Sequence, residues 1–336
     1  MSVVAVEEVY AQLSEDLQQV ERILAEVAAS HIEFIPRALG GPLSSRGKRL
    51  RPVLVLLSAK AVSDPPPPAS VEIAAAAEAI HLSGLILDDV IDQAELRRGQ
   101  KTLHQLWGNE IPVLLAAFVL SRTCTRLAAA DFQRPLAVLA ASTTRMCEGE
   151  LTEVLNRHNL KVTESHYLAT IEAKTASLFS ACCEVGALIA GGTPRACKAL
   201  AEGGREFGIA FQIADDVLDF LGEEQVTGKR PGRDLGCGRV TLPLIHALRL
   251  AGAGQRAQME ALLCAGEGAE QAYGREAAAR LEHVLTFIKE HGGFEYAQQA
   301  AHAHTEKAKE LFAALPASCA REALLTLTDY ALTRRG

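Results

Sequence analysis

Apolar residues recur every three to four positions through most of the chain, which is the period of α-helices that bury one face. Pro112, Pro135 and Pro194 each open a new apolar run, and a helix tolerates proline in its first turn. Thr193 is a candidate N-cap before the last of these prolines. The pattern predicts helices at 5–33, 48–62, 70–93, 111–130, 135–157, 164–190, 194–222, 241–251, 274–290, 294–314 and 318–334.

The pattern indicates neither strands nor domain boundaries. Residues 52–59 are apolar enough for a strand, but the run begins near a proline and continues into Ala-Lys-Ala, which favours a buried helix. The prolines at 65–68 and the glycine-rich stretches 227–238 and 264–268 are typical of loops, and helical periodicity resumes after each. The simplest prediction is one all-α domain over residues 1–336.

Composition narrows the functional classes. The chain is 49% apolar but only 5% aromatic, which favours helices over sheets. Its net charge of −7 argues against a non-specific nucleic-acid binder. The eight cysteines lack metal-ligand spacing, the N-terminus is too acidic for a signal peptide, and no run of about 18 apolar residues lacks charge. We therefore expect a cytoplasmic protein that does not span a membrane.

Two short segments share one arrangement of aspartates. Residues 86–92 and 213–219 are identical at five of seven positions, and both lie in apolar helical runs. Carboxylates four residues apart share a helix face and repel each other, and apolar neighbours increase that cost. A solvated acidic face would explain one such segment better than a matched pair. The pair predicts magnesium ions that bridge to a diphosphate, because magnesium binds one or two carboxylates together with waters and phosphate oxygens. The first aspartate cluster is Asp88, Asp89 and Asp92, and the second is Asp215, Asp216 and Asp219.

Three further segments carry positive charge that could bind diphosphates. In Gly-Lys-Arg-Leu-Arg-Pro at 47–52, the first lysine and the second arginine share a face if the helix has already begun. Gly99 follows two arginines where a helix could end with a glycine cap. Each segment alone is more often an exposed basic spot, but beside two metal-binding clusters we interpret them as diphosphate clamps. They contribute Lys48 and Arg51, Arg97 and Arg98, and Lys174 with Thr175.

Other polar residues stand close to the clusters. His81 lies two helical turns before Asp88 and is expected to face the same cavity, although a lone histidine in an apolar helix is usually a core residue. Gln212 stands similarly before the second cluster. Lys229 and Arg239 flank the glycine-rich loop that follows and could close over bound phosphate, although charged loop residues need no such explanation.

In order and spacing, these motifs resemble those of the trans-isoprenyl diphosphate (polyprenyl) synthases over roughly residues 10–335. The resemblance implies a single-domain bundle of about ten or more mostly antiparallel helices around a deep central cavity, acting as a homodimer. The matching segments are 47–52, the first aspartate cluster with Arg97-Arg98-Gly99, Glu148-Gly149-Glu150, Lys174-Thr175, Phe211-Gln212 with the second cluster, and Thr241-Leu242-Pro243.

The resemblance also implies a role for each site residue. Ions and cations stabilise the departing pyrophosphate, so the allylic C–O bond ionises. The isopentenyl double bond then attacks the carbocation in a dry cavity, and a proton leaves. Asp88, Asp92 and Asp215 would bind three magnesium ions, supported by Asp89, Asp216 and Asp219. Arg97, Lys174, Thr175, Gln212 and Lys229 would hold the allylic diphosphate, and Lys48, Arg51, His81 and Arg98 would hold isopentenyl diphosphate.

The chain departs from the family's pattern in several places. No departure removes a metal ligand or a principal phosphate clamp, so we predict activity. Glu153 occupies a position that is often Gln or Asp, and it could touch metal. The substitutions are Leu87 for the usual His, Ala116-Ala117 for Gly-Asp, Arg46 for the first glycine of Gly-Gly-Lys, and Arg239 for Lys.

Two small residues bear on product length. Gly84 and Ser83 lie four and five positions before Asp88, about one helical turn away, where the family's growing chain extends. Their size, and the plain two-residue spacer of the first cluster, favour a medium- or long-chain all-trans polyprenyl diphosphate. Ile80 or Phe118 could instead form the floor, as in a short-chain farnesyl or geranylgeranyl diphosphate synthase.

Two other functions compete with prenyl transfer. A class I terpene cyclase shares the metal chemistry but binds a single diphosphate, so the basic segments at 47–52 and 97–99 argue against it. A non-catalytic partner subunit of a two-chain synthase would be expected to have lost one aspartate cluster, and this chain keeps both. The sequence therefore predicts a magnesium-dependent, head-to-tail prenyl transferase.

Overall fold

The protein was analysed as a computed structural model, and the structure describes residues 5–44, 47–130, 132–222, 232–264 and 275–333. Helices α1 to α7 are Val6–Gln12, Ser14–Ala28, Phe34–Ser44, Leu50–Val62, Ala69–Ile91, Leu103–Trp107 and Glu110–Ala129. Helices α8 to α11 are Gln133–Leu155, Glu164–Ile171, Ser177–Ile189 and Pro194–Leu221. Helices α12 to α17 are Arg233–Gly236, Leu242–Leu250, Ala253–Cys264, Arg275–Glu290, Gly293–Ala313 and Cys319–Thr333. The prediction of an all-α protein is confirmed.

Two elements interrupt the helices. A π-helical segment, Glu172–Ala176, lies between α9 and α10, within the region where one continuous helix was predicted. The strands β1 (Leu96–Arg97) and β2 (Gln100–Lys101) pair antiparallel, so the prediction of no strand was wrong by this one short hairpin. The predicted helix 5–33 is also divided at Leu13 and ends at Ala28.

By its internal contacts the chain divides into two compact units. Unit 1 comprises Met1–Thr144, Ser177–Arg205 and Ala308–Tyr330, and unit 2 comprises Arg145–Ala176, Glu206–Lys307 and Ala331–Gly336. The first aspartate cluster belongs to unit 1 and the second to unit 2. The single domain over residues 1–336 stays a prediction.

The core of unit 1 is built on α4, which is buried along most of its length and packs against α10 and α5. Gly186 permits the close approach of α10, because a Cβ at this position would lie 2.3 Å from the carbonyl oxygen of Val55 on α4. Alanines fill the middle of α5, where a larger side chain would separate the helices. This packing fixes the C-terminal end of α5, which carries the first aspartate cluster.

The core of unit 2 gathers apolar side chains from α9, the C-terminal part of α11, α13, α15 and α16. Phe220, one residue after the second aspartate cluster, packs edge-on against Phe294 at the start of α16, with ring centroids 5.9 Å apart. Ile213 and Val217 lie on the same face of α11 as Phe220 and are buried in the same core. The second cluster therefore stands on a rigidly packed stretch of helix.

Within the described ranges, two helices are long and apolar enough to cross a membrane by length and composition. In α5, 72% of the most apolar 18-residue window is buried inside the protein, whereas in α7 only 33% is buried. Core helices of soluble proteins have the same composition as α5. The expectation that the chain does not span a membrane stays a prediction.

Candidate diphosphate site

The first aspartate cluster lies at the C-terminal end of α5. The helix ends at Ile91, and Asp92 caps it by donating its backbone N–H to the carbonyl oxygen of Asp88 at 2.8 Å. Carboxylates here face the negative end of the helix dipole as well as each other. A bound cation would relieve both the repulsion from the helix dipole and the repulsion between the carboxylates.

A short hairpin supports this cluster. Arg98 and Gly99 form its two-residue turn with φ of 50° and 76°, as type I′ turns require, so the prediction that Gly99 caps a helix was wrong. The hairpin returns Arg97 to the cluster, where its Nε lies 2.8 Å from both carboxylate oxygens of the buried Asp89. Thr102 holds the base of the hairpin by donating its hydroxyl to the carbonyl oxygen of Ala94 at 2.6 Å.

The predicted isopentenyl diphosphate residues come together in unit 1. The guanidinium of Arg98 packs directly on Gly47, where a Cβ would lie 2.5 Å from Nη2. Arg51 stacks over the Phe179 ring at 4.8 Å, and the Lys48 ammonium lies 5.0 Å from the centre of the Tyr330 ring. Lys48 precedes α4, so it does not share a helix face with Arg51 as the spacing suggested.

His81 lies among the same cations. Its pKa is lowered well below the usual value, because burial disfavours the charged ring and because Arg51, Arg97, Arg98 and Arg49 repel a further positive charge. The imidazole is therefore neutral near pH 7, with one N–H donor and one acceptor nitrogen. The sequence predicted a shared location for His81 and the basic residues, but not the protonation state.

The second aspartate cluster lies in the last two turns of α11, again at a helix C-terminus. Buried Asp216 accepts hydrogen bonds from the Tyr167 hydroxyl at 2.6 Å and from Nε2 of Gln212 at 2.7 Å. Burial raises the pKa of Asp216 well above its usual range, and nearby Asp234 raises it further, against the two hydrogen bonds. An electronegative, desolvated site of this kind favours a bound cation.

Backbone and side-chain donors also engage the rest of this cluster. Asp219 accepts the backbone N–H of Asp234 on Oδ2 at 3.0 Å. Thr175 donates to Oε1 of Gln212 at 2.8 Å, so this predicted pair is brought together in unit 2. Lys229, the remaining predicted allylic residue of this region, lies outside the described residues.

Lys174 is held by a carboxylate clamp. Gly149 on α8 allows the π segment to come close, because a Cβ there would lie 2.4 Å from the backbone nitrogen of Lys174. The ammonium then lies 2.6 Å from Oε2 of Glu150 and donates to Oε2 of Glu153 at 2.6 Å. Arg239 continues the array, with its Nε 2.6 Å from the same oxygen of Glu153. The prediction that Glu153 touches metal is not tested, but in the protein it binds two cationic side chains.

Sequence reasoning missed Tyr167, Asp234 and the clamp role of Glu150. Glu150 and Glu153 are three residues apart and therefore share one face of α8, and this spacing was a signal for the clamp. Nothing local identifies Tyr167, which lies 49 residues before its partner Asp216.

A pocket with both polar and apolar lining adjoins the second cluster, with about 70 Å³ of room for water-sized molecules. Lys174, Gln212 and Asp216 line it on the side of the cluster, and Tyr167 and Thr241 line it elsewhere. The buried hydroxyl of Thr241 has no hydrogen-bond partner among the described residues, so a water molecule fits here.

The donor set fits magnesium. Among the described residues, no three His, Cys, Asp or Glu side chains are grouped closely enough to hold a metal ion by themselves. The clusters instead offer a few hard carboxylate oxygens each, and magnesium completes such a set with waters and phosphate oxygens. The site residues therefore suit an ion that arrives together with a diphosphate.

An all-helical fold, two matched aspartate clusters at helix C-termini and a separate group of cations define a class of enzymes that act on diphosphates. Comparison with known proteins narrows this class. Residues 33–280 match the polyprenyl synthetase family, and the chain belongs to it. It is therefore a prenyl transferase.

Individual relatives match almost end to end. The chain is 32% identical to the octaprenyl diphosphate synthase of Haemophilus influenzae, over 98% of this chain and 97% of the relative. It is 35% identical to a short chain isoprenyl diphosphate synthase of Methanothermobacter thermautotrophicus, over 94% of each. Among solved structures, a polyprenyl synthase from Caulobacter crescentus CB15 complexed with calcium and isoprenyl diphosphate has a TM-score of 0.91, with 31% identity and full coverage of both chains.

Proposed function

We propose that this protein condenses an allylic diphosphate with isopentenyl diphosphate, head to tail, to give an all-trans polyprenyl diphosphate. One observation carries the proposal. Unit 1 holds Lys48, Arg51, Arg98 and the neutral His81, and unit 2 holds Lys174, Thr175 and Gln212. Two groups of candidate diphosphate-binding residues suit a reaction of two diphosphates, whereas a cyclase binds only one.

The aspartates would act through magnesium. Asp88, Asp92 and Asp215 would hold the ions, for which we propose three, and these would supply the positive charge that stabilises departing pyrophosphate. The two aspartate-bearing helix ends repel their own carboxylates, which supports cation binding at each. The calcium-bound Caulobacter relative supports a divalent ion in this family.

Side chains of the protein would orient the allylic diphosphate. Lys174 would reach the leaving pyrophosphate as a positive charge whose position is set by Glu150 and Glu153. Thr175 and Gln212 would add neutral hydrogen bonds, and Arg97 and Lys229 further positive charge. Binding the leaving group in this way lowers the barrier to C–O ionisation, because charge develops on the pyrophosphate oxygens in the transition state.

Lys48, Arg51, His81 and Arg98 would hold isopentenyl diphosphate. Arg51 and Arg98 can grip phosphate oxygens with planar guanidinium groups, and the neutral imidazole of His81 can donate one N–H. A neutral ring suits this place, because an additional charge would be repelled by the four arginines.

We propose a medium- or long-chain product. Gly84 and Ser83 are small, and the octaprenyl-forming relative matches over nearly its whole length. The short-chain relative, at similar identity, keeps a farnesyl- or geranylgeranyl-length product as the alternative. Ser83 donates its hydroxyl to the carbonyl oxygen of Ala116 on α7 at 3.0 Å, so a large residue at Ser83 would press against that helix.

Gly84→Phe is therefore the sharper test of product length. We expect shorter products by mass spectrometry, because an aromatic ring would block chain growth about one turn from Asp88. Ser83→Ala, which removes a hydroxyl without adding bulk, should leave the length unchanged. An unchanged product in Gly84→Phe would show that Gly84 does not line the path of the chain.

We further propose a cytoplasmic homodimer. Leu106, Trp107, Val113 and Leu114 on α6 and α7 are exposed large apolar side chains, a combination that marks interaction surfaces. The low burial of the apolar helix α7 supports the same proposal, since a second copy would cover it. The cysteines within the described residues are free, which suits the reducing cytoplasm.

One assay tests the main proposal. Purified protein is incubated with magnesium, farnesyl diphosphate and labelled isopentenyl diphosphate, and we expect incorporation that chelation by EDTA abolishes. No incorporation by the protein alone would contradict the proposal and favour the non-catalytic partner subunit. Release of pyrophosphate without incorporation would favour a cyclase.

A further inference from the structure

We propose that Arg49 is a positioning residue, which places Lys48 and Arg51 for isopentenyl diphosphate without touching it. The proposal rests on the proposed role of those two residues. Arg49 stands between them in the basic segment 47–52, so the sequence alone would suggest that it is a third phosphate clamp. Its surroundings assign it a different task.

The guanidinium of Arg49 is committed to the protein. Its Nε and Nη2 donate to the two carboxylate oxygens of Glu21 at 2.7 and 3.1 Å. Nη1 donates to Oε1 of Glu78 at 2.8 Å, and Nη2 also donates to the carbonyl oxygen of Leu43 at 2.9 Å. Four of the five N–H donors that an arginine has are thus engaged. The group cannot grip a phosphate with two of its donors while these bonds persist.

These contacts anchor one turn of chain to three helices. Glu21 lies on α2, Leu43 near the end of α3 and Glu78 on α5. Glu78 precedes His81 by three residues, so the two lie on neighbouring positions of one face of α5. Arg49 therefore ties the basic segment to the helix turn that presents His81.

The backbone of Arg49 indicates that this geometry is enforced. Its φ is 44°, in the left-handed region that residues other than glycine seldom adopt, and it is the N-cap of α4. Such a conformation persists where the surrounding contacts determine it, and it is typical of functional sites. The chain enters at Lys48 and leaves into the first helical turn at Arg51, so the directions of both side chains depend on this residue.

Burial supports positioning over stabilisation. The side chains of Arg49 and Glu78 are only 11% and 8% exposed. A buried ion pair loses so much hydration that its net contribution to stability is small, while its directional bonds still specify one geometry. An apolar pair would fill the same space without fixing the turn.

The test replaces both buried charges at once. Arg49→Met/Glu78→Met leaves no unpaired charge in the core, so it is expected to fold. The matched control is Arg126→Met/Glu72→Met, because Arg126 also joins α5 and α2, through Glu72 at 2.8 Å and Glu26 at 3.0 Å. Glu72 lies nine residues before His81, about 13 Å along α5.

We expect the first double variant to raise the KM for isopentenyl diphosphate about tenfold or more, with kcat and the KM for the allylic diphosphate within about twofold. The control should change neither KM. Arg49→Lys should give an intermediate KM, since an ammonium cannot reach three separate helices with a planar fork. An unchanged KM in the first double variant, or an equal rise in both, would overturn the positioning role.

Arg51→Met separates this proposal from the one on which it rests. If Arg51→Met leaves the KM for isopentenyl diphosphate unchanged, the proposed binding site is wrong. If Arg51→Met raises it and the Arg49 and Glu78 double variant does not, the binding site stands and the positioning role of Arg49 fails.

Discussion

The three aspartates to which the family resemblance assigns a supporting role accept hydrogen bonds from within the protein. Asp89 accepts from Arg97, Asp216 from Tyr167 and Gln212, and Asp219 from the backbone of Asp234. Their partners give that role a physical content, because each fixes the carboxylate beside a proposed magnesium ligand.

We expect Tyr167→Phe to lower the free energy of unfolding by about 2 kcal/mol, since it leaves a buried carboxylate of Asp216 without one of its donors. Urea unfolding measures the loss. Tyr296→Phe is the matched control, because it removes an equally short hydrogen bond, 2.6 Å to Glu164, at a more exposed place. The control should lose less than about 1 kcal/mol. Equal losses would mean that burial of Asp216 does not set the cost.

His81 makes stability depend on pH. Its pKa in the folded protein is depressed, so below about pH 6.5 the unfolded chain binds a proton that the folded protein does not. Stability is therefore complete above that pH and declines as the pH falls. Between about pH 7.5 and 5.5 we expect wild type to lose about 1 kcal/mol more than His81→Gln in urea unfolding. The same loss in both proteins would contradict the depressed pKa.

At the scale of elements, the contact of α8 with the π segment sets the position of Lys174. π segments are rare and concentrate at functional sites. Here the segment carries both Lys174 and Thr175, whose partners lie on two different helices, α8 and α11. In a regular α-helical turn, these neighbouring side chains would point about 100° apart. Lys174 would then lie at a different distance from the carboxylates of the clamp.

Gly149→Ala should disturb this contact. The new Cβ would lie 2.4 Å from the backbone nitrogen of Lys174, so α8 or the π segment must shift. We expect a loss of roughly 2 kcal/mol in unfolding free energy and about a tenfold fall in kcat/KM. In the control Gly40→Ala, nothing lies within 4 Å of the new Cβ on α3, and stability should rise by about 0.5 kcal/mol or more. Full activity in Gly149→Ala would show that the carboxylate clamp on Lys174 does not contribute to catalysis.

Periodicity predicted the bounds of several long helices well, but it missed interruptions and several short helices. The ends of α5, α7 and α11 lie within one or two residues of the predicted bounds. Helix α3 was missed because Pro36, Pro42 and two glycines break its pattern, although packing against α2 overrides their low propensity. The π segment could not be predicted, because its one-residue change of register leaves the composition of the helix unaltered.

The residues of the candidate site also divide into those that the sequence predicted and those that it did not. Residue types and spacing identified the aspartates and the basic segments, because their chemistry is local to a few positions. The hydrogen bond from Tyr167 to Asp216, and those from Arg49 to its two carboxylate partners, join residues 28 to 49 positions apart. Such partners are set by tertiary packing, which periodicity does not encode.

At the scale of the whole molecule, the proposed homodimer requires that exposed apolar side chains of α7 lie in the contact between the two copies. Leu114 is 66% exposed, the second most exposed of the large apolar residues of the described chain. We expect Leu114→Asp to raise the dimer dissociation constant about thirtyfold or more, because a charge would be buried at the centre of an apolar contact. Light scattering during size-exclusion chromatography measures the change.

Leu250→Asp provides the control for that experiment. Leu250 is similarly exposed, at 58%, but it stands alone at the end of α13 in unit 2. Its replacement should leave the oligomeric state unchanged. A protein that is monomeric before any substitution would contradict the homodimer.

The hairpin of unit 1 has a consequence for the order of folding. It closes a loop of only eight residues between Asp89 and Arg97, and loops of this size close within about a microsecond. The support of Asp216 instead requires a contact across 49 residues, which forms more slowly because more chain entropy is lost. As synthesis proceeds from the N-terminus, the first aspartate cluster can acquire its ion pair before the ribosome has added Tyr167. We therefore expect the support of the second aspartate cluster to form after that of the first in a newly made chain.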